Sequence, residues 1–218
     1  MCGDGLRPYY RTVISFAVLL SIAGVVLLGA VSPGPDFFVL TRRTATSGRA
    51  AGLVCAAGMG TGIFVWVIAV GSGIAALLEA SAVAYSVVKL VGATYLIMLG
   101  LHTWLSARRG GAAWEPDDTT APQRAVRSFR EGLLCNLLNP KVAVFYLAFL
   151  PQFLPAGGGW SVTLELAIAA AATVMCWYLV VAFSVASLRR FLTRRIRRAV
   201  DAAVGTVLIG LGVRIATT

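Results

Sequence analysis

The sequence predicts an all-α integral membrane protein: six transmembrane helices forming two inverted three-helix repeats, with helices 1 and 4 broken. Three observations lead there. Of 218 residues, 58% are hydrophobic and only 13% charged, about half the charge a soluble domain carries, so most of the chain meets lipid. Six apolar stretches reach the roughly 20 residues that cross a bilayer. Two short sequences recur, in the same order, in both halves.

The first stretch, Val13–Leu40, is too long for a cleaved signal and lacks a small-residue cleavage site, so it reads as a span. It is interrupted at "AVSPGPDFFVLTRR", residues 30–43. The second, Gly52–Leu78, carries Gly58, Gly62, Gly71 and Gly73, small residues that let helices approach closely. The third is Val83–Leu105. A polar stretch, 106–131, with Glu115, Pro116, Asp117 and Asp118, reads as a cytoplasmic linker. The fourth, Leu133–Leu154, is broken at Asn139-Pro140. The fifth, Val162–Leu188, contains the Ala170–Ala172 run, and the sixth is Val200–Ala216. Residues 1–218 then form one transporter domain, with repeat 1 at about 13–105 and repeat 2 at about 132–216.

Charge orients the bundle. The net charge of +10 rests on 17 arginines and 2 lysines against 9 acids. Fourteen arginines fall after spans one, three and five: Arg42, Arg43 and Arg49, then five from Arg108 to Arg130, then six from Arg189 to Arg198. Only Arg7, Arg11 and Arg214 fall on the other side. Positive loops stay in the cytoplasm, which puts both termini outside it. The clustering between spans also makes topology, and not nucleic acid, the reason for the basic balance. Residues 188–201 read as a basic interfacial helix.

Cys2, Cys55, Cys135 and Cys176 are scattered, with no spacing for a disulfide frame or a zinc site. No metal site and no cofactor is expected. The single histidine, His102, lies at a span end beside Trp104, an interfacial position. Lys89 and Glu79 lie near the outer interface, where snorkelling suffices. Without a nucleophile–base pair or metal ligands at membrane depth, an enzyme is not expected.

The halves resemble each other. Thr94–Gly100 reads TYLIMLG and Thr206–Gly212 reads TVLIGLG, agreeing at five of seven positions at an offset of 112. Ser32-Pro33 matches Asn139-Pro140 at an offset of 107, and Phe38-Val-Leu40 then falls on Phe145-Tyr-Leu147. Three spans per half is an odd number, so the second copy enters from the opposite face. That is the plan of secondary transporters, whose sites form where corresponding helices are interrupted. The match is unequal: about 19 apolar residues precede the first break and about seven the second.

Prolines remove backbone donors and clash with the preceding turn. Pro33, Gly34 and Pro35 therefore free carbonyls that only protein or a wet cavity can satisfy. Asp36 falls in the first turn of the continuing half-helix, where negative charge suits the dipole. Span four carries Asn136, Asn139, Pro140 and Lys141. An ionised side chain at such depth costs at least ~2.5 kcal/mol on insertion scales. Asp36 and Lys141 have opposite signs at nearly matching positions, so they face each other or a shared cavity. Either they pair simply to hold the halves in register, or they serve cargo. Gln152 either lines an outer vestibule or caps a helix. Trp66, Trp177 and Tyr178 read first as packing residues.

"SPGPDFFVLTRRTATSGRAAGL" and "GLLCNLLNPKVAVFYLAFLPQF" together resemble the two signature regions of the LysE/RhtB family of amino-acid exporters, the LysE-type translocators. The resemblance spans nearly the whole chain. It implies an efflux carrier of the bacterial inner membrane for amino acids or related small metabolites, driven by proton exchange. Carried onto this sequence, it marks Pro33, Gly34, Pro35, Asp36, Asn139, Pro140 and Lys141, with Gln152. Asp36 would then carry a proton or meet the cargo's ammonium group, and Lys141 or the half-helix amides would take its carboxylate. The expected partners are an amino-acid-like substrate, protons and the lipid bilayer. A homodimer through small-residue faces is compatible with the sequence, which does not specify one. The rival readings are a channel and a non-catalytic accessory membrane subunit.

Overall fold

The computed structural model of the chain describes residues 15–73, 81–108, 120–154, 159–188 and 193–217. Arg7, Arg11, Cys2, Glu79, the end of the second span and the acidic linker residues Glu115–Asp118 lie outside the described residues. The described chain is almost wholly helical, and no strand occurs in it. In order the helices are α1 (Phe16–Val31), α2 (Pro35–Ser47), α3 (Arg49–Gly71), α4 (Ala82–Arg108), α5 (Ala121–Leu137), α6 (Pro140–Phe149, then a 3₁₀ turn Leu150–Phe153), α7 (Trp160–Leu188) and α8 (Arg194–Thr217).

Among these, α3, α7 and the Arg198–Thr217 part of α8 are each long and apolar enough to cross a membrane. Two pairs qualify jointly: α1 with α2, bent by 68°, and α5 with α6 and its 3₁₀ turn, bent by 55°. That gives three to five candidate spans. The described apolar part of α4 is the shorter Leu90–Leu105.

Both breaks follow from proline. Ser32 precedes Pro33 and is extended at φ −64°, ψ 120°, the conformation a following proline enforces. Gly34 is extended too, and α2 restarts with Pro35 in its first turn, where a missing N–H costs nothing. At the second break Asn139 is extended at ψ 108° before Pro140. Its Oδ1 accepts a 3.1 Å bond from the Lys141 amide, an N-cap. The structural counterpart of Asn139-Pro140 is therefore Gly34-Pro35, and Asp36 and Lys141 occupy the same position beyond their prolines.

The polar stretch before the second break is helical from Ala121, opened by a capping box between Thr120 and Gln123. This explains the unequal apolar lengths in the sequence. The helix leading to each break is similar, 16 residues in α1 and 17 in α5, but α5 is amphipathic and its first turns are polar.

Glycines set the packing, as expected where lipid supplies no hydrophobic drive between helices. A Cβ on Gly58 would strike the Phe129 carbonyl of α5, and one on Gly132 would strike the Cys55 carbonyl of α3. These two helices therefore lie backbone to backbone. Gly71 faces Thr163 of α7. Gly73 has φ 77° with open space around it and serves the turn that ends α3. Helices α4 and α8 run antiparallel. A Cβ on Gly100 would lie 2.8 Å from the Gly205 carbonyl and 2.9 Å from Ile209. One on Gly212 would lie 2.8 Å from the Ala93 carbonyl and 2.6 Å from Ile97. The two repeated heptapeptides thus end on glycines that each pack against the other helix.

Candidate functional site

Helix α2 is short but largely buried, polar residues included: Asp36, Arg42, Arg43, Thr44 and Thr46 all lie inside. Asp36, 3% exposed, is received by the second break. Its Oδ1 accepts from Asn139 Nδ2 at 2.9 Å and Cys135 Sγ at 3.4 Å. Its Oδ2 accepts from Asn136 Nδ2 at 2.6 Å and Tyr178 Oη at 3.4 Å. A carboxylate has about four acceptor sites, and here four donors meet it. Asn139 is engaged at both ends of its amide, capping α6 with oxygen and binding Asp36 with nitrogen. Asn136 is wholly buried, and its oxygen sits where a Cβ on Gly62 would be.

Lys141 makes the reverse crossing. Its Nζ donates to the carbonyls of Gly29, at 3.1 Å, and of Ser32, the oxygens freed where α1 stops. A cation suits that helix end. Gly34 makes the crossing feasible, since a Cβ there would sit 3.3 Å from Lys141 Cδ. Among the described residues no ion pair joins Asp36 to Lys141. They share a cavity instead.

The empty space of that cavity amounts to about 470 Å³ when the part open to the outside is counted. Its polar wall comprises Ser32, Asp36, Asn139, Lys141, Tyr146 and Tyr178, and the rest is chiefly aliphatic and aromatic. A mostly apolar pocket with a few convergent polar groups is the usual form of a small-molecule site.

Along α2 the lining stops at Phe37. Two turns beyond Asp36 a buried polar layer begins. Arg42 Nε lies 3.3 Å from Asp201 of α8 and Arg42 Nη1 3.7 Å from Glu131 of α5. Arg43 Nε lies 3.5 Å from Glu131 and donates to Ser128 Oγ at 2.9 Å. These arginines, which the sequence suggests as loop charges marking topology, are interior residues joining three helices. Arg49 instead lies over the Phe183 ring, at 4.0 Å.

The structure thus brings together Asp36, Asn136, Asn139 and Lys141, with Gly34 beside them. Pro33 is exposed, and Pro35 and Pro140 act through the backbone. Gln152 is exposed and bonds back to the Ala148 carbonyl at 3.2 Å, away from the cavity. His102 is exposed. Tyr178, read from the sequence first as a packing residue, and Tyr146, which the sequence does not single out, both line the cavity. The only hint was a tyrosine inside an apolar span, whose hydroxyl needs a partner when buried. Among the described residues no His/Cys/Asp/Glu group could hold a metal ion.

Comparison with known proteins gives this arrangement a context. The family "LysE type translocator" matches residues 27–218. The threonine efflux protein of Escherichia coli (strain K12) is 25% identical over 200 residues, covering 91% of this chain and 97% of that protein. The homoserine/homoserine lactone efflux protein of Salmonella typhimurium is 32% identical over 139 residues, 64% of each chain. An uncharacterized membrane protein, YrhP of Bacillus subtilis (strain 168), is 24% identical over 208 residues, covering 90% of this chain. No solved structure matches significantly.

Proposed function

The chain belongs to the LysE type translocator family, and from that premise we propose that it exports an amino acid or related small metabolite across the bacterial inner membrane, coupled to protons and by alternating access. The observation that carries the reading is a cavity between two proline-broken helices with Asp36 and Lys141 both in its wall. The full-length similarity to a threonine efflux protein supports an amino-acid-like cargo.

A zwitterion suits the charges of the wall. Its ammonium group takes the place of the Tyr178 hydroxyl, whose 3.4 Å bond to Asp36 is long for an O–H donor and which also lines the cavity. Its carboxylate meets the remaining N–H of the Lys141 ammonium, which has three donors and gives two to α1 carbonyls. A proton on Asp36 competes with the cargo's ammonium group, and this competition couples the two.

Six spans in two inverted halves suit the reciprocal contacts. Asp36 reaches the second break as Lys141 reaches the first, and Gly100 packs on α8 as Gly212 packs on α4. With the arginine-rich ends in the cytoplasm, the Arg42–Arg43–Glu131–Asp201 layer closes the inner side, and alternating access requires it to open. The direct test follows which amino acids leave cells expressing the protein faster than empty-vector cells, with and without a collapsed proton gradient. Faster export of at least one amino acid, lost on collapse, is expected. Export of none overturns the assignment, and export indifferent to the gradient overturns the coupling.

A further inference from the structure

Of the buried side-chain atoms without a hydrogen-bond partner among the described residues, only the Tyr146 hydroxyl belongs to a residue of the cavity wall. The ring is held in place, 3% exposed and edge-on to Phe145 at 5.2 Å between centroids. Buried hydroxyls are nearly always paired, and one without a partner asks for a reason. The neighbouring polar groups offer none. Asp36 has four donors, Asn139 uses both ends of its amide, Lys141 holds the α1 carbonyls, and Tyr178 is on Asp36. Most of the rest of the wall is carbon, from Val26, Ile63, Val142, Phe145 and Val174 among others.

We infer that Tyr146 sets cargo specificity, its hydroxyl bonding a neutral polar group, a hydroxyl or an amide, on the side chain of the exported molecule. The inference rests on the amino-acid reading above and adds the side-chain class to it. Once the cargo's charged ends lie at Asp36 and Lys141, its side chain faces a largely apolar wall in which the Tyr146 hydroxyl is the buried polar atom without a partner. A charged side chain finds no counter-ion there. A purely aliphatic one leaves the hydroxyl bare, and a site built around a hydrogen bond rejects the analogue that lacks it.

The test compares threonine with valine, which have nearly the same shape, in proteoliposomes holding the purified protein or Tyr146→Phe. Wild type is expected to move threonine at least about tenfold faster than valine, and Tyr146→Phe to bring the ratio close to one. Without cargo, the phenylalanine variant melts no lower than wild type, because the hydroxyl it loses has no partner to leave behind. Both amino acids moving with the same ratio in both proteins overturns the inference alone. So does a variant that melts lower without cargo, which means that the hydroxyl is paired within the protein. Wild type moving neither of these nor any other amino acid overturns the reading of the site as an amino-acid route and this inference with it.

Discussion

Asp36 and Lys141 stand one residue beyond the proline that restarts each half-helix, and each side chain crosses to the other break. The acid ends among side-chain donors of Cys135, Asn136, Asn139 and Tyr178, whereas the base ends on the bare carbonyls of Gly29 and Ser32. Opposite charges one residue beyond the two restarting prolines thus tie the two breaks to each other without touching.

Asp36→Asn separates structure from transport. The amide still accepts bonds through one oxygen, so a folded protein is expected, destabilised by about 1–2 kcal/mol. On the proposed role of Asp36, export falls at least about tenfold, because the charge proposed to meet cargo or proton is gone. Detergent-stable yield and efflux measured on the same preparation check this. Full export by a folded variant leaves Asp36 as a structural residue.

Lys141→Met uncovers two carbonyls at the end of α1. A loss of about 1 kcal/mol or more in stability is expected, with Lys141→Arg restoring most of it by supplying donors. Thermal melts of the three proteins decide the matter. If Met and Lys melt alike, the carbonyls have other partners.

Gly62→Ala places a methyl group on the Asn136 oxygen and so pushes Asn136 off Asp36. Overpacking costs about 1–3 kcal/mol, and export should fall with it. Gly24→Ala, where a Cβ meets nothing within 4 Å, is the matched control. Equal export by both variants contradicts the packing role.

Arg43→Ala leaves Glu131 half-paired in a nearly buried layer. Removing one partner of a buried pair costs about 3 kcal/mol. The charge-swapped pair, Arg43→Glu with Glu131→Arg, should recover more stability than the two single variants together predict. A double-mutant cycle measured by denaturation reads the coupling, and additive effects mean that the pair contributes nothing.

The breaks were legible because proline chemistry is local: Pro33, Pro35 and Pro140 announce them whatever surrounds them. The all-helical membrane fold was legible because lipid leaves few alternatives to helices. The partners of the breaks were not. Tyr178 lies 142 positions from Asp36, and Arg42 lies 159 from Asp201, distances at which no periodicity carries information. Arg42 and Arg43 misled for the same reason: an arginine after an apolar run looks like a loop charge until three helices close around it. Gln152 drew notice as a polar residue in an apolar run, but its bond to Ala148 is purely local.

Helix α2 has 13 residues and carries the cavity's acid at one end and both arginines of the polar layer toward the other. From Asp36 to Arg43 is about 10 Å of continuous helix, too short and too well bonded to flex between them. If cargo binds at Asp36 as proposed, any shift of Asp36 along this helix also moves Arg42 and Arg43 against Glu131 and Asp201. On that proposal, weakening those contacts is expected to change cargo affinity. A binding titration on Glu131→Gln, with no flux at all, would read the energy that links the two ends of this rod.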